Sequence, residues 1–200
     1  GALLCNSADP KLVRRLEQIL NRGTDFADKL AGRVPYYQWV SQGSHLRPGE
    51  LEAAVIAAQL DELPSNLAKR GEIAQVYAAH LADAANPWRF VAGNTVAGSN
   101  HHIFGLLAQT PDIAARLLRE AGKAGIRVET HYAPLHVSPF AKDAGLDRPD
   151  CPGGASVWSK LVRLPVHTSM SSADAVRVTD FLTGFAGELE KCGRALQHAG

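Results

Sequence analysis

The chain reads as an α/β protein, and three observations lead there. The opening run GALLCN has the texture of the tail of a buried strand and passes directly into a helix signal at Asp9-Pro10. Farther on, HHIFGLLA (101–108) and GIRVETHY (125–132) alternate as strands do and flank a helical pattern. The remainder carries 3.6-residue apolar spacing, with neither repeats nor low-complexity tracts. Strands interleaved with helices are the mark of this fold class. At 200 residues and 46% hydrophobic content the chain can build a true core, burying roughly 70% of its unfolded surface.

Taken in order, Asp9 offers an N-cap and Pro10 suits the first helical position, where its missing N–H costs nothing. Leu12, Leu16, Ile19 and Leu20 then share a face, and Gly23 is the stop. Residues 24–47 read as an irregular, aromatic-rich loop holding Tyr36, Tyr37 and Trp39. Long aromatic loops are often functional, or else are packed down by their own rings. Pro48 opens a long helix with Leu51, Ala54, Val55, Ala58 and Leu63 in a stripe, and Pro64 should break or kink it. The stripe resumes at Leu67, Ala74, Tyr77 and Leu81. Thr110-Pro111 starts a helix that turns Ile113, Ala114, Leu117, Leu118 and Ala121 inward. On period 2, Ile126, Val128, Thr130 and Tyr132 share one face of the following strand. Residues 139–154 read as loop, and 155–162 as a short helix. Ser171 and Asp174 have capping-box spacing before a last helix through Val178, Phe181, Leu182, Phe185 and Leu189. The second half is thus expected to be a small β-α-β-α-α unit.

Charge and cysteine content narrow the partners. Net charge is +1 with histidine neutral, which gives no basic stripe for nucleic acid or an anionic membrane surface. The apolar runs fall far short of the ~20 residues that span a bilayer. Cys5, Cys151 and Cys192 are odd in number and widely separated. They read as free thiols, as expected in a reducing cytoplasm, and not as a disulfide framework or metal set.

Two constellations carry chemistry. The first is GSHLRPGELEAA (43–54), a Gly-Ser turn before a helix N-terminus. Free N–H groups there suit a phosphate, and Arg47 can add a charge-assisted bond. The second is THYAPLHVSP (130–139), with HH at 101–102. These histidines admit three readings: a metal site, a backbone-bonded turn, or a polar or anionic ligand site. No His-x-x-x-His falls on a helix, and no cysteine or carboxylate stands at ligand spacing. Polar groups where strands meet loops favour the ligand reading. Nucleophile elbow, Walker loop and dinucleotide fingerprint are all lacking, and SMSSAD (169–174) is a helix cap.

The order of blocks is more specific than any one of them. GSHLRPGELEAAVIAAQLDEL, KRGEIAQVYAAHL, AGIRVETHYAPLHVSP and VRLPVHTSMSSADAVRV follow one another. Together they resemble the C-terminal half of the DegT-type nucleotide-sugar aminotransferases, pyridoxal phosphate (PLP) enzymes of the aspartate-aminotransferase fold (type I). The likeness spans almost the whole chain. NRGTDFADKLAGRVPYYQWVSQGS (21–44) further resembles the transaminases that make dTDP-4-amino-4,6-dideoxygalactose.

The resemblance implies an architecture: the tail of the large PLP-binding domain with an active-site loop over 1–47, a long kinked interface helix over 48–84, and a small α/β domain over 85–200. It implies a homodimer with shared active sites, in which the turn before the long helix contacts the cofactor phosphate of the neighbouring subunit. Ser44, His45 and Arg47 fall on that turn, and His45 stands where the family has asparagine, a departure that puts this contact in question. Tyr37, Trp39, His102, His131, Tyr132 and His136 fall on positions implied to line the sugar-nucleotide cleft. The reaction implied is amino transfer, with glutamate as the expected donor, to a keto group on a nucleotide-linked deoxysugar.

That chemistry needs a Schiff-base lysine and an acid beside the pyridinium nitrogen. The family places the lysine shortly before a strand that GALLCN resembles. Lys29, Lys69 and Lys160 lack its motif. The expectation is therefore a fragment, inactive by itself, with no catalytic residue of its own. Two rival readings remain: a non-catalytic interaction or regulatory module derived from the same fold, and a metal-dependent hydrolase built on the histidines.

Overall fold

A computed structural model describes residues 5–82, 88–146 and 151–197. The chain divides into two compact units, Gly1–Asp61 and Glu62–Gly200. Residues 1–4, most of the expected opening strand, lie outside the described residues.

In the first unit, helix α1 spans Pro10–Leu20, with the Asp9 carboxylate accepting from the Lys11 N–H at 2.9 Å. The helix forms where its cap and spacing predict, but none of its residues is buried. It ends as expected near Gly23, whose φ of +80° only glycine adopts freely. Residues 24–47 are mostly irregular, with one correction: Phe26–Leu30 form a short helix, α2. Five residues are too few to leave a 3.6-residue signature.

The loop then returns along α1's end. Val40 and Ser41 donate to the Gly23 carbonyl at 2.9 and 3.0 Å, and Ser44 donates to Ile19 O at 3.0 Å. A Cβ on Gly23 would run into the Ser41 carbonyl, and one on Gly43 into the Gly23 backbone. Buried Asp28 braces this unit, with Arg14 at 2.6 Å and Arg33 at 2.7 Å. Those guanidiniums, Arg33 foremost, hold its carboxyl below the usual range against the opposing effect of burial.

Helix α3, Glu50–Asp61, closes the unit; Leu51 and Val55 on its apolar stripe are exposed.

The second unit begins where Pro64 predicts an interruption. Helix α4 spans Leu63–His80 with Pro64 in its first turn, a position that tolerates the missing N–H. A four-stranded antiparallel sheet follows, ordered β1-β2-β4-β3. Its strands are β1 (Arg89–Phe90), β2 (Phe104–Leu107), β3 (Glu129–Thr130) and β4 (Leu161–Leu164). Phe104 pairs with Leu164 and Leu106 with Val162, while Glu129 pairs with Arg163. Helix α5, Pro111–Lys123, starts on the Thr110 cap. Helix α8, Ser172–Gln197, starts on the reciprocal Ser171–Asp174 box, with bonds of 2.9 and 3.2 Å. Tyr77, Phe104, Leu106, Leu117, Val162 and Leu182 form the centre of the core. The inward faces read for α4, α5 and α8 are the ones that pack there.

Three expectations in this unit need correction. Residues 139–154 are not all loop: α6 (Pro139–Asp143) and α7 (Pro152–Trp158) lie at its ends, with 147–150 outside the described residues. Both begin on a proline, which at the first helical turn starts a helix instead of breaking one. The short helix read over 155–162 therefore begins earlier and stops at Trp158, because Leu161–Leu164 is the inner strand β4. Val162 and Leu164 are buried while Leu161 and Arg163 are not, a period of 2. Finally, the strand expected over 125–132 pairs only at Glu129–Thr130. Ile126 and Val128 enter the core, but Thr130 and Tyr132 are exposed. Among the described residues the unit thus runs α-β-β-α-β-α-α-β-α, with β1 lying in a stretch read as turns.

Candidate functional site

Each unit carries a cavity, and the two differ in charge. In the first unit an open cavity of about 250 Å³ is lined by Arg22, Thr24, Phe26, Tyr37, His45 and Arg47, with Asn21. The backbone closure just described builds it. Asn21 bridges His45 and Thr24 bridges Trp39, so the returning loop lies against the end of α1. Arg22 stands in the left-handed region at φ 65°. Its N–H donates to Ser44 O at 3.2 Å, and its carbonyl accepts from Trp39 Nε1 at 2.7 Å. Its guanidinium lies 3.1 Å from His45 Nε2. Tyr37 packs edge-on against Phe26 at 5.3 Å, and the Lys29 ammonium sits 5.4 Å from the Tyr37 ring centre.

Of the residues singled out from sequence, the structure brings Tyr37, His45 and Arg47 to one wall system. Ser44 does not line it; both of its backbone groups go to loop closure. Trp39 is 81% exposed and acts instead as a clamp on the Arg22 carbonyl. Sequence reasoning missed Arg22, although an arginine directly before a helix-stop glycine is a visible signal.

The second unit holds a cavity of about 300 Å³ lined by Asn94, Ser99, Asn100, His102, His131 and Arg163, among others. A neighbour of about 200 Å³ shares His102 and Arg163 and adds Arg127, Glu129 and His167. Asn94 is buried and frames the first of these by exchanging two bonds with Gly105, at 2.7 and 2.9 Å. Arg163 organises the strand end. It donates through Nε to Thr130 O at 3.0 Å, pairs with Glu129 at 3.2 Å, and lies 5.6 Å from the Tyr132 ring centre. Tyr132 in turn lies 5.4 Å from the His131 ring, and the His131 carbonyl accepts from Trp158 Nε1 at 2.9 Å. His131 Nδ1 is buried with no hydrogen-bond partner among the described residues. A buried ring nitrogen without a partner calls for a ligand or water.

His102, His131 and Tyr132 therefore share one neighbourhood around Arg163. His136 does not join them. It occupies a 3-10 turn at Leu135–Val137, beside Gly154, and lines neither cavity. Arg163 went unnoticed in the sequence because its segment read as a helix tail.

The charges separate the two sites. Among the described residues no carboxylate lines the first cavity, and two guanidiniums with an imidazole give it a donor set suited to an anion. In the second unit one carboxylate, Glu129, is shared by two guanidiniums, Arg127 and Arg163, at 2.7 and 3.2 Å, beside amide, hydroxyl and imidazole groups that can bond a hydroxyl-bearing ligand. Among the described residues, no group of three or more His, Cys, Asp or Glu stands close enough to hold a metal ion. No described helix is long and apolar enough to cross a membrane.

Comparison with known proteins gives the family and the fold. Residues 1–183 match the DegT/DnrJ/EryC1/StrS aminotransferase family. The chain is 30% identical over 183 residues to the erythromycin biosynthesis sensory transduction protein EryC1 of Saccharopolyspora erythraea, covering 86% of this chain and 44% of EryC1. It is 25% identical to the dTDP-4-dehydro-2,3,6-trideoxy-D-glucose 4-aminotransferase of Saccharopolyspora spinosa, covering 87% and 45%. In structure it superposes on Spr1654 of Streptococcus pneumoniae, solved in a PLP-form, with a TM-score of 0.75 at 19% identity, covering 91% and 45%. The chain thus spans a little under half the length of these relatives.

Proposed function

Since the chain belongs to the DegT/DnrJ/EryC1/StrS aminotransferase family, we propose that it forms the C-terminal part of a PLP-dependent aminotransferase. Its substrate is a nucleotide-linked keto-deoxysugar, and glutamate is the amino donor. The observation that carries this reading is the first cavity. His45 and Arg47, on the family's phosphate-contact turn, line it together with Arg22 and without any acid. That donor set fits a phosphate monoester dianion, so the residues present fit the cofactor's phosphate. The asparagine-to-histidine departure keeps a nitrogen that can donate.

When bound, PLP supplies the electron sink through which an amino group passes from donor to acceptor. What this chain adds is binding and orientation. Arg22, His45 and Arg47 hold the phosphate end, and the Tyr37 ring walls it. His102, His131 and Tyr132 hold the sugar nucleotide, with Arg163 fixing the strand end. The lysine that holds the cofactor comes from outside these residues, so the isolated chain is inactive. A homodimer with shared sites completes the arrangement, and the setting is cytoplasmic.

The test is made in the full-length protein that carries this chain. Replacing Tyr132 by alanine should raise the KM for the sugar nucleotide while cofactor absorbance persists. Replacing Arg47 by methionine should release cofactor. If Tyr132→Ala releases cofactor and Arg47→Met retains it, the two sites are assigned the wrong way round.

A further inference from the structure

A guanidinium only donates hydrogen bonds. The 3.1 Å contact between Arg22 Nη2 and His45 Nε2 therefore requires the imidazole nitrogen to accept. In a neutral ring, acceptance at Nε2 places the proton on Nδ1. The Arg22 side chain is exposed, but its backbone is fixed beside the ring. Its own N–H is bonded to Ser44 O, next to His45, and its carbonyl is clamped by Trp39 Nε1 at 2.7 Å. These bonds hold Arg22, in the left-handed region at φ 65°, against the returning loop.

We infer that Arg22 is the positioning residue for His45: it fixes the Nδ1–H tautomer and, with Arg47, supplies the charge of the anion cavity. Where the family uses one neutral amide, this chain uses an arginine–imidazole pair. The pair leaves Nδ1–H as the ring's donor and contributes guanidinium donors not engaged by Nε2. The ligand class is a phosphate monoester. This inference rests on the reading of the cavity as the cofactor-phosphate site, and the test separates the two.

The full chain, labelled with 15N-histidine, reports the His45 tautomer by long-range proton–nitrogen correlation, with His45→Asn supplying the assignment. Without any anion, the wild type should show Nδ1–H, and Arg22→Met should lose that preference. Arg22→Lys, which keeps a donor, should restore it. A role in folding alone would move none of these ring signals selectively. Titration with pyridoxamine 5′-phosphate, and separately with a nucleoside diphosphate, is then followed at His45. Arg22→Met should weaken pyridoxamine phosphate about tenfold, the change expected for one charge-assisted hydrogen bond. A wild-type Nε2–H ring overturns the Arg22 inference even if phosphate binds. An Nδ1–H ring that answers only to the nucleoside diphosphate upholds the Arg22–His45 pair and overturns the cofactor-phosphate reading.

Discussion

Arg163 offers the sharpest test of how the second cavity is held. Its side chain reaches the Thr130 carbonyl, the Glu129 carboxylate and the Tyr132 ring together, at 3.0, 3.2 and 5.6 Å. A charged donor to a backbone carbonyl contributes about 1.5–3 kcal/mol. The ion pair adds little, roughly 0.2–1 kcal/mol, since Glu129 is largely solvated. A cation over an exposed ring adds about 0.5–1 kcal/mol. Arg163→Lys keeps the charge but replaces a planar fork by a point donor, which cannot serve all three partners at once. The expected loss is about 2 kcal/mol, confined to the segment those contacts tie down. In native-state hydrogen exchange this reads as local opening about 30-fold more frequent. The assay compares peptides covering 129–136 with those covering the β2–β4 pair. Faster exchange in the first alone supports the reasoning. Equal acceleration in both would show that Arg163 serves the whole unit, and no acceleration would show that its three contacts are idle.

Three further outcomes follow from the same geometry. Tyr77→Phe keeps the ring against Phe104 at 5.0 Å but removes the 2.8 Å bond to Pro165 O; burial holds that hydroxyl protonated as a donor, and urea unfolding should show a loss of about 1 kcal/mol. Gly23→Ala, at φ +80° and against the Ser41 carbonyl, should abolish the phosphate response of His45 while leaving second-unit exchange unchanged. Asp28→Asn should lower the unfolding midpoint of the first unit at neutral pH. Because the folded carboxyl titrates below its ordinary 3.8, its contribution is present above that value and lost as pH falls through the folded pKa; a gap between variant and wild type that persists in stronger acid would refute the pairing with Arg33 and Arg14.

Legibility in the sequence tracked how local each signal was. Asp9-Pro10, Pro64, Thr110-Pro111 and Ser171–Asp174 each act through a turn of backbone, and each marks an element where the structure has it. The helix faces of α4, α5 and α8 were legible because one continuous core selects them. What escaped depended on partners distant in sequence. Strand β4 is four residues long and looks like the continuation of a helix until β2 and β3 flank it. Arg163 gains its meaning only through Glu129 and Thr130, more than thirty positions away. Arg22 likewise acts through His45 and Trp39, which a linear reading places in a different loop. The motif histidines were visible as a group, yet only tertiary structure separates His131 beside Tyr132 from His136 in its own turn.

The two cavities differ in how their guanidiniums are paired. An anion receptor needs its cations unneutralised. The first cavity meets that need by directing a nearby carboxylate elsewhere, since Asp28 is buried on Arg14 and Arg33 and leaves Arg22 and Arg47 free of acidic partners on the cavity wall. In the second unit the guanidiniums are instead paired: Glu129 is shared between Arg127 and Arg163, and Arg163 lines the cavity beside amide, hydroxyl and imidazole groups, an arrangement that lowers the pull of a guanidinium on phosphate. Glu129→Gln should accordingly convert the second cavity into a competitor for phosphate. In the labelled chain, phosphate would then shift His102 and His131 as well as His45. If only His45 responds, selectivity between the two sites does not depend on the neutralising carboxylate.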